Sequence, residues 1–126
     1  MAVALIKNTD YPNALEAAIE MCDGFKQLKP GHKVLIKPNL VIGGRRGLFP
    51  PFGRVTTSDL MEKLVQLLKD KGCLDITIGE GTGLVKELDS DTPSAFKFAG
   101  MDRIAKQYGV KLVDFEPGPF ERVEMG

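Results

Sequence analysis

Residues 33–40, Lys-Val-Leu-Ile-Lys-Pro-Asn-Leu, constrain this chain more than any other stretch. Val34, Leu35 and Ile36 form an apolar run without polar alternation, the pattern of a strand buried in a parallel sheet. Pro38 has no N–H to give to a ladder, so the strand must stop at Lys37. Lys37 and Asn39 then stand at the carboxyl end of a buried strand, the edge at which open parallel sheets bind ligands.

The flanking sequence alternates strands with helices. Residues 2–7 (Ala-Val-Ala-Leu-Ile-Lys) read as a first strand. Residues 12–28 read as a helix, with Leu15, Ala18, Ile19, Cys22 and Phe25 on one stripe and Pro12 in its first turn. Pro30-Gly31 marks a turn before the strand at 33–37. The connection from Pro38 to Thr56 is long for a compact domain and holds Gly43-Gly44-Arg45-Arg46-Gly47 and Pro50-Pro51-Phe52-Gly53-Arg54, which points to a functional loop. A Leu-rich helix follows over 58–71, capped by Thr57 or Ser58 and stopped by Gly72. A strand at 74–78 runs into Gly79-Glu80-Gly81-Thr82-Gly83, read as a turn with one exposed carboxylate. Short helices at 93–99 and 101–108 lead to a strand at 110–115. After the Pro117-Gly118 turn, residues 120–125 read as a last short strand, antiparallel to the others. The expected fold is α/β: one domain over residues 1–126, built of βαβ units, with a mainly parallel sheet of about four to five strands and helices packed on its faces. The chain stops just after a weak strand with no closing helix, as the front part of a larger domain would.

Composition narrows the function. The 17 basic and 17 acidic side chains cancel, which argues against a nucleic-acid footprint and leaves room only for a small basic pocket. Two cysteines, Cys22 and Cys73, are too few for a disulfide framework or a cysteine-rich metal site, and each lies among apolar neighbours as a buried thiol would. The apolar runs are too short to span a bilayer, and the first residues lack the pattern of an export leader, so a cytoplasmic location is expected. The single histidine, His32, falls in a turn at the opposite edge from Lys37, which speaks against a His-based triad or a metal cage. No Gly-x-Ser-x-Gly elbow is present.

The site expectation follows from topology. In a parallel sheet the loops after successive strands leave from one edge, which brings Lys37 and Asn39 to Gly79, Glu80, Gly81 and Thr82 if their strands are neighbours. The start of the second helix, at Thr57 and Ser58, lies at the same edge, and a helix N-terminus attracts anions. The reading is an anion-binding crevice. Lys37, Arg54, Thr56 and Thr57 contact the anion, Asn39 orients it, and Gly79 and Gly81 admit it close to the backbone. Lys37 as electrophile or clamp and Glu80 as general base are the candidate catalytic pair. Each has a plainer role as well: Lys37 as a strand-end lysine reaching for water, Thr57 as a helix cap, Asn39 as a turn residue, Arg45 and Arg46 as a solvated loop tip. Gly79-Glu80-Gly81-Thr82-Gly83 lacks the Lys-Ser/Thr ending of a Walker loop and the third glycine of a dinucleotide fingerprint. The residues name no cofactor.

Taken together, Val34-Leu35-Ile36-Lys37-Pro38-Asn39-Leu40, Thr56-Thr57 opening a Leu-rich helix, and Ile78-Gly79-Glu80-Gly81 closing a strand resemble the family called domain of unknown function 362. Phe98-Ala99-Gly100-Met101 and Tyr108-Gly109-Val110-Lys111-Leu112-Val113-Asp114 match in order and spacing, so the resemblance runs from residue 1 to about 116. It implies an α/β fold, a prokaryotic source and no agreed reaction. Many members of the family carry an appended ferredoxin-like module with cysteine-bound iron–sulfur clusters; this chain has no cysteine array to hold one. The family is distantly similar to the N-terminal part of nickel-dependent lactate racemases, an analogy of fold alone. Its members often have His-Pro after the threonine pair, where this chain has Ser58-Asp59, and its domain usually runs longer. Two functional classes follow. One is an enzyme, or the front half of one, acting on a small anionic molecule; the other is a non-catalytic binding or docking module serving an iron–sulfur redox protein.

Overall fold

The computed structural model describes residues 3–7, 13–40, 55–81, 91–118, 121, 123 and 124. Among these the order of elements is α1 (Ala14–Met21), β1 (Val34–Ile36), α2 (Ser58–Asp70), β2 (Ile76–Glu80), α3 (Thr92–Phe98), α4 (Met101–Tyr108) and β3 (Lys111–Asp114). The three strands form one parallel sheet in the order β1-β2-β3. Ile36 stands opposite Ile78, and Glu80 stands opposite Asp114. The α/β class and the parallel sheet agree with the sequence.

Local chemistry sets the element ends. The Thr57 hydroxyl accepts the Leu60 N–H at the start of α2, and Asp91 does the same for Ser94 at the start of α3, where Pro93 fits the first turn. At the end of α2, Gly72 takes φ +82°; its N–H reaches the Lys69 carbonyl and that of Cys73 reaches Leu68, a Schellman closure. The expected helix over 12–28 is shorter for the same reason. Asp23 takes φ +53°, its N–H reaches the Glu20 carbonyl and the Gly24 N–H reaches Ile19, which ends α1 seven residues early. The stripe still serves packing, because Phe25 from the turns beyond α1 leans on the core.

The core lies on one face of the sheet. Ile76 and Ile78 point the same way along β2 and meet Met61, Val65 and Leu68 of α2, Ala95 and Phe96 of α3, and Met101 and Ile104 of α4. Met61, Val65 and Leu68 recur at helical spacing, which turns one stripe of α2 to the sheet. Leu40 closes this core at the carboxyl end of the strands, and Cys73 and Val110 lie in it near the amino end of β2 and β3.

Three expectations change. The apolar run at 34–36 was expected to be buried on both sides, yet Leu35 is 61% exposed, and Val113 and Phe115 are exposed with it. Only the alternate positions, Val34 and Ile36, lean on the core. The expected count of four to five strands is three among the described residues: residues 3–7 form no strand, with Leu5 97% exposed, and Glu121, Val123 and Glu124 form none either. An extended segment becomes a strand only by pairing, and apolar alternation alone does not supply the partner. Finally, β2 does not stop at Ile78. It carries Gly79 and Glu80 to the end of the sheet, paired with Val113 and Asp114.

Candidate functional site

β1 and β2 are neighbours and parallel, so their carboxyl ends open on one edge. Pro38 is buried and β1 ends before it, which leaves Lys37 as the first residue past the strand. Glu80, the last residue of β2, falls on the core face in phase with Ile76 and Ile78, and its side chain is only 6% exposed. A carboxylate in that place needs partners. It has them: Glu80 Oε1 accepts from Lys37 Nζ at 2.9 Å and from the Gly81 backbone N–H at 2.9 Å, and Glu80 Oε2 accepts from Lys37 Nζ at 3.1 Å. The Lys37 side chain is 62% exposed, so the pair has one buried and one open end. Glu80 is therefore a buried strand residue rather than an exposed loop carboxylate. Both oxygens are engaged, one by the ammonium alone and the other by the ammonium and the Gly81 N–H.

The chain beyond Lys37 is tied to the start of α2. The Asn39 N–H donates to the Thr56 hydroxyl at 3.0 Å, and the Thr56 N–H donates to the Asn39 carbonyl at 2.8 Å. This reciprocal clasp brings Thr56, and with it the Thr57 cap of α2, to the edge where Lys37 stands. Both hydroxyls already serve the backbone as acceptors; each keeps its O–H to donate elsewhere. Lys37, Asn39, Thr56, Thr57, Gly79, Glu80 and Gly81 thus belong to one end of the sheet. Arg54 and Thr82, also expected there, lie outside the described residues, as do Arg45 and Arg46.

Gly79 has a neighbour that the sequence reading missed. A Cβ on Gly79 would lie 2.2 Å from Cζ of Phe115 and 2.7 Å from its Cε1. The space that was expected to admit a ligand to the Gly79 backbone holds this ring. The Phe115 N–H in turn donates to the Glu80 carbonyl at 2.9 Å, so the chain leaving β3 stays fastened to the end of β2.

A second polar cluster, also unforeseen, joins α2 to α4. Tyr108 donates its O–H to Glu62 Oε1 at 2.7 Å, Arg103 Nη2 donates to Glu62 Oε2 at 2.9 Å, and Gln107 Nε2 donates to Glu62 at 3.2 Å. The Tyr108 hydrogen bond, followed by the Arg103 hydrogen bond, holds the Glu62 carboxyl below its ordinary value. The same contact with Glu62 pushes the Tyr108 phenol up. Across the opposite edge of the sheet, Lys111 Nζ lies 2.8 Å from Asp75 Oδ1 and holds that carboxyl down. Only spacing within one helix can be read from sequence, and these partners sit on different elements.

His32 is exposed in the turn before β1, Cys73 is buried and Cys22 partly so. Among the described residues no group of three or more His, Cys, Asp or Glu could hold a metal ion, and no helix is long and apolar enough to cross a membrane.

The model of the family described as Domain of unknown function (DUF362) matches residues 34–126, from the first residue of β1 onward. No curated protein matches the chain. No solved structure matches it either.

Proposed function

The chain belongs to the DUF362 family, whose description assigns no reaction, and on that footing we propose that it binds a small anionic ligand at the carboxyl edge of its sheet. Lys37 is the contacting cation, and Glu80 is the residue that positions it. One observation carries the reading: an exposed ammonium is pinned at the mouth of a parallel sheet by a carboxylate buried beneath it. An isolated surface lysine samples many rotamers and gains little from any single partner. Here the Gly81 N–H and the buried Glu80 fix the base of the contact, so the remaining ammonium hydrogens meet solvent in a defined direction. The Thr56 and Thr57 hydroxyls, at the same end of the sheet, are neutral donors available to the same ligand.

The charge balance sets the strength. Lys37 and Glu80 together are neutral, so attraction for an anion rests on directed hydrogen bonds more than on net charge. Affinity in the millimolar range is expected, about −4 kcal/mol at 1 mM.

Thermal unfolding of the full chain tests this, with phosphate or acetate added at constant ionic strength. Bound anion raises the midpoint by mass action. Wild type is expected to gain stability with added anion, and Lys37→Ala to gain none. Equal gains in the two proteins would show that the anion acts elsewhere.

A further inference from the structure

β3 is an edge of the sheet: among the described residues only β2 pairs with it. The Phe115 N–H donates to the Glu80 carbonyl, so the backbone groups of Lys111, Val113 and Phe115 face β2, and by strand alternation those of Leu112 and Asp114 face away from it. Unpaired N–H and C=O groups along an outer edge are a template for another strand. β1 is the other edge, and lysines guard it. The Val34 N–H donates to the Asp75 carbonyl, so the outward groups of β1 are centred on Leu35, and a second copy paired about that residue would set Lys33 against Lys37. β3 carries no such guard.

We propose that β3 pairs antiparallel with β3 of a second copy of this chain, about a two-fold axis at Val113, joining the two sheets edge to edge. Symmetric pairing leaves few registers, and the backbone selects among them. A register centred on Leu112 calls on the Val110 N–H, which already donates to the Ala105 carbonyl at 3.1 Å. One centred on Asp114 sets two carboxylates against each other and calls on the Glu116 N–H, which already donates to Asp114 Oδ1 at 2.9 Å. The register centred on Val113 uses only groups without a partner among the described residues: Leu112 exchanges both its backbone bonds with the partner's Asp114, and Asp114 with the partner's Leu112. The ladder then ends on each side where Val110 and Glu116 would meet, both already engaged. On the open face Val113, 40% exposed, meets the partner's Val113, and Lys111 faces the partner's Phe115, so no like charges stand opposite each other. This surface is independent of the anion reading, because neither Lys37 nor Glu80 takes part in it.

Sedimentation equilibrium of the full chain tests it. A pairing of one short edge lies at the small end of interfaces, so a weak dimer is expected, with a dissociation constant of about 10–100 μM. Wild type is expected to pass from monomer to dimer across that range. Val113→Lys sets two ammonium groups against each other on the axis and is expected to weaken the dimer about tenfold or more. Leu35→Lys, on the same open face but on β1, is expected to dimerise as wild type does. A second readout serves if Val113→Lys unfolds. In a Cys22→Ser background, Val113→Cys brings two thiols to the axis at a Cα separation of about 4.5 Å, within disulfide reach, and mild oxidation is expected to link the chains, whereas Leu35→Cys is expected to link none. Wild type that stays monomeric well above that range, a dimer that survives Val113→Lys, or failure of Val113→Cys to link overturns the inference. So does loss of the dimer in Leu35→Lys, which would mean that the open faces stack instead.

Discussion

Lys37 Nζ lies 2.9 Å from Glu80 Oε1, joining the first residue past β1 to the last residue of β2 at the carboxyl edge of the sheet. The two are 43 residues apart in the chain. The contact exists because parallel pairing of β1 with β2 brings both strand ends to one place. It is asymmetric, with a buried carboxylate beneath an open ammonium. Burial raises the cost of leaving Glu80 unpaired, so the pair fixes where Lys37 can be.

Removing either partner measures that coupling. Lys37→Ala leaves the Glu80 carboxylate with the Gly81 N–H, and because the lysine end is open to solvent, water replaces part of what is lost. A loss of about 1–2 kcal/mol is expected, short of the penalty for a fully enclosed pair. Chemical denaturation of Lys37→Ala, Glu80→Gln and the double variant should return a coupling of about 1 kcal/mol. Strict additivity would mean that the pair holds nothing in place.

Gly79→Ala puts a methyl group where the tip of Phe115 lies. The ring must move, and overpacking of this kind costs about 1–3 kcal/mol, with the lower part of that range expected because a side-chain tip can swing aside. In a Phe115→Ala background the same substitution is expected to cost close to nothing. Urea midpoints of the two single variants and the double variant check this, and an unchanged cost in the second background would remove Phe115 from the account.

Much of this architecture is written locally. The apolar stripe of α2, its Thr57 cap and the Gly72 stop lie close together in the chain, and so do the signals for α3, α4 and β3; these elements fall where the sequence puts them. That Lys37 and Glu80 share one edge followed from parallel topology once their strands are neighbours; the ion pair between them did not. What local signals do not carry is which face of a strand finds a partner. Leu35 and Ile78 look alike in sequence, yet one is open and the other fully buried, because the helices supply core residues to one face. For the same reason residues 3–7 read as a strand without forming one, and Glu80 read as a loop residue when it continues β2. The Phe115 ring on Gly79 and the Tyr108 contact with Glu62 are tertiary meetings between distant segments, and no spacing rule announces them.

The two faces of the sheet should answer differently to truncation. Ile78→Ala opens a hole among Met61, Val65 and Ile104 and is expected to cost about 2–5 kcal/mol. Leu35→Ala, on the open face, is expected to stay within about 0.5 kcal/mol of wild type. Equilibrium unfolding reads both, and a large loss at Leu35 would show that this face is covered in solution.

The α2–α4 clasp makes stability depend on acid. Glu62 has a folded value below its ordinary 4.5, chiefly through the Tyr108 hydrogen bond and then the Arg103 one. Its contribution is therefore complete above 4.5 and is lost as pH falls through the lowered folded value. Tyr108, raised above 10.0 chiefly by Glu62, adds a contribution that is complete below 10.0 and fades as pH climbs through the raised value. In Tyr108→Phe the Glu62 carboxyl is expected to titrate closer to 4.5, and the acid-side loss of stability to shrink. Carbon-detected titration of the Glu62 carboxyl reads the first effect and unfolding midpoints between neutral and acid pH read the second; an unmoved titration would take Tyr108 out of the clasp.

The most direct test of the account follows the Gly81 amide and the Lys37 ammonium by NMR while acetate is added at constant ionic strength. Both groups touch Glu80 Oε1, so an anion that engages Lys37 must disturb both. Saturable shifts are expected at these two positions with a midpoint in the millimolar range, and no saturable shift at Gly81 in Lys37→Ala. Shifts that grow linearly, or that appear equally at remote lysines such as Lys63 and Lys111, would contradict it.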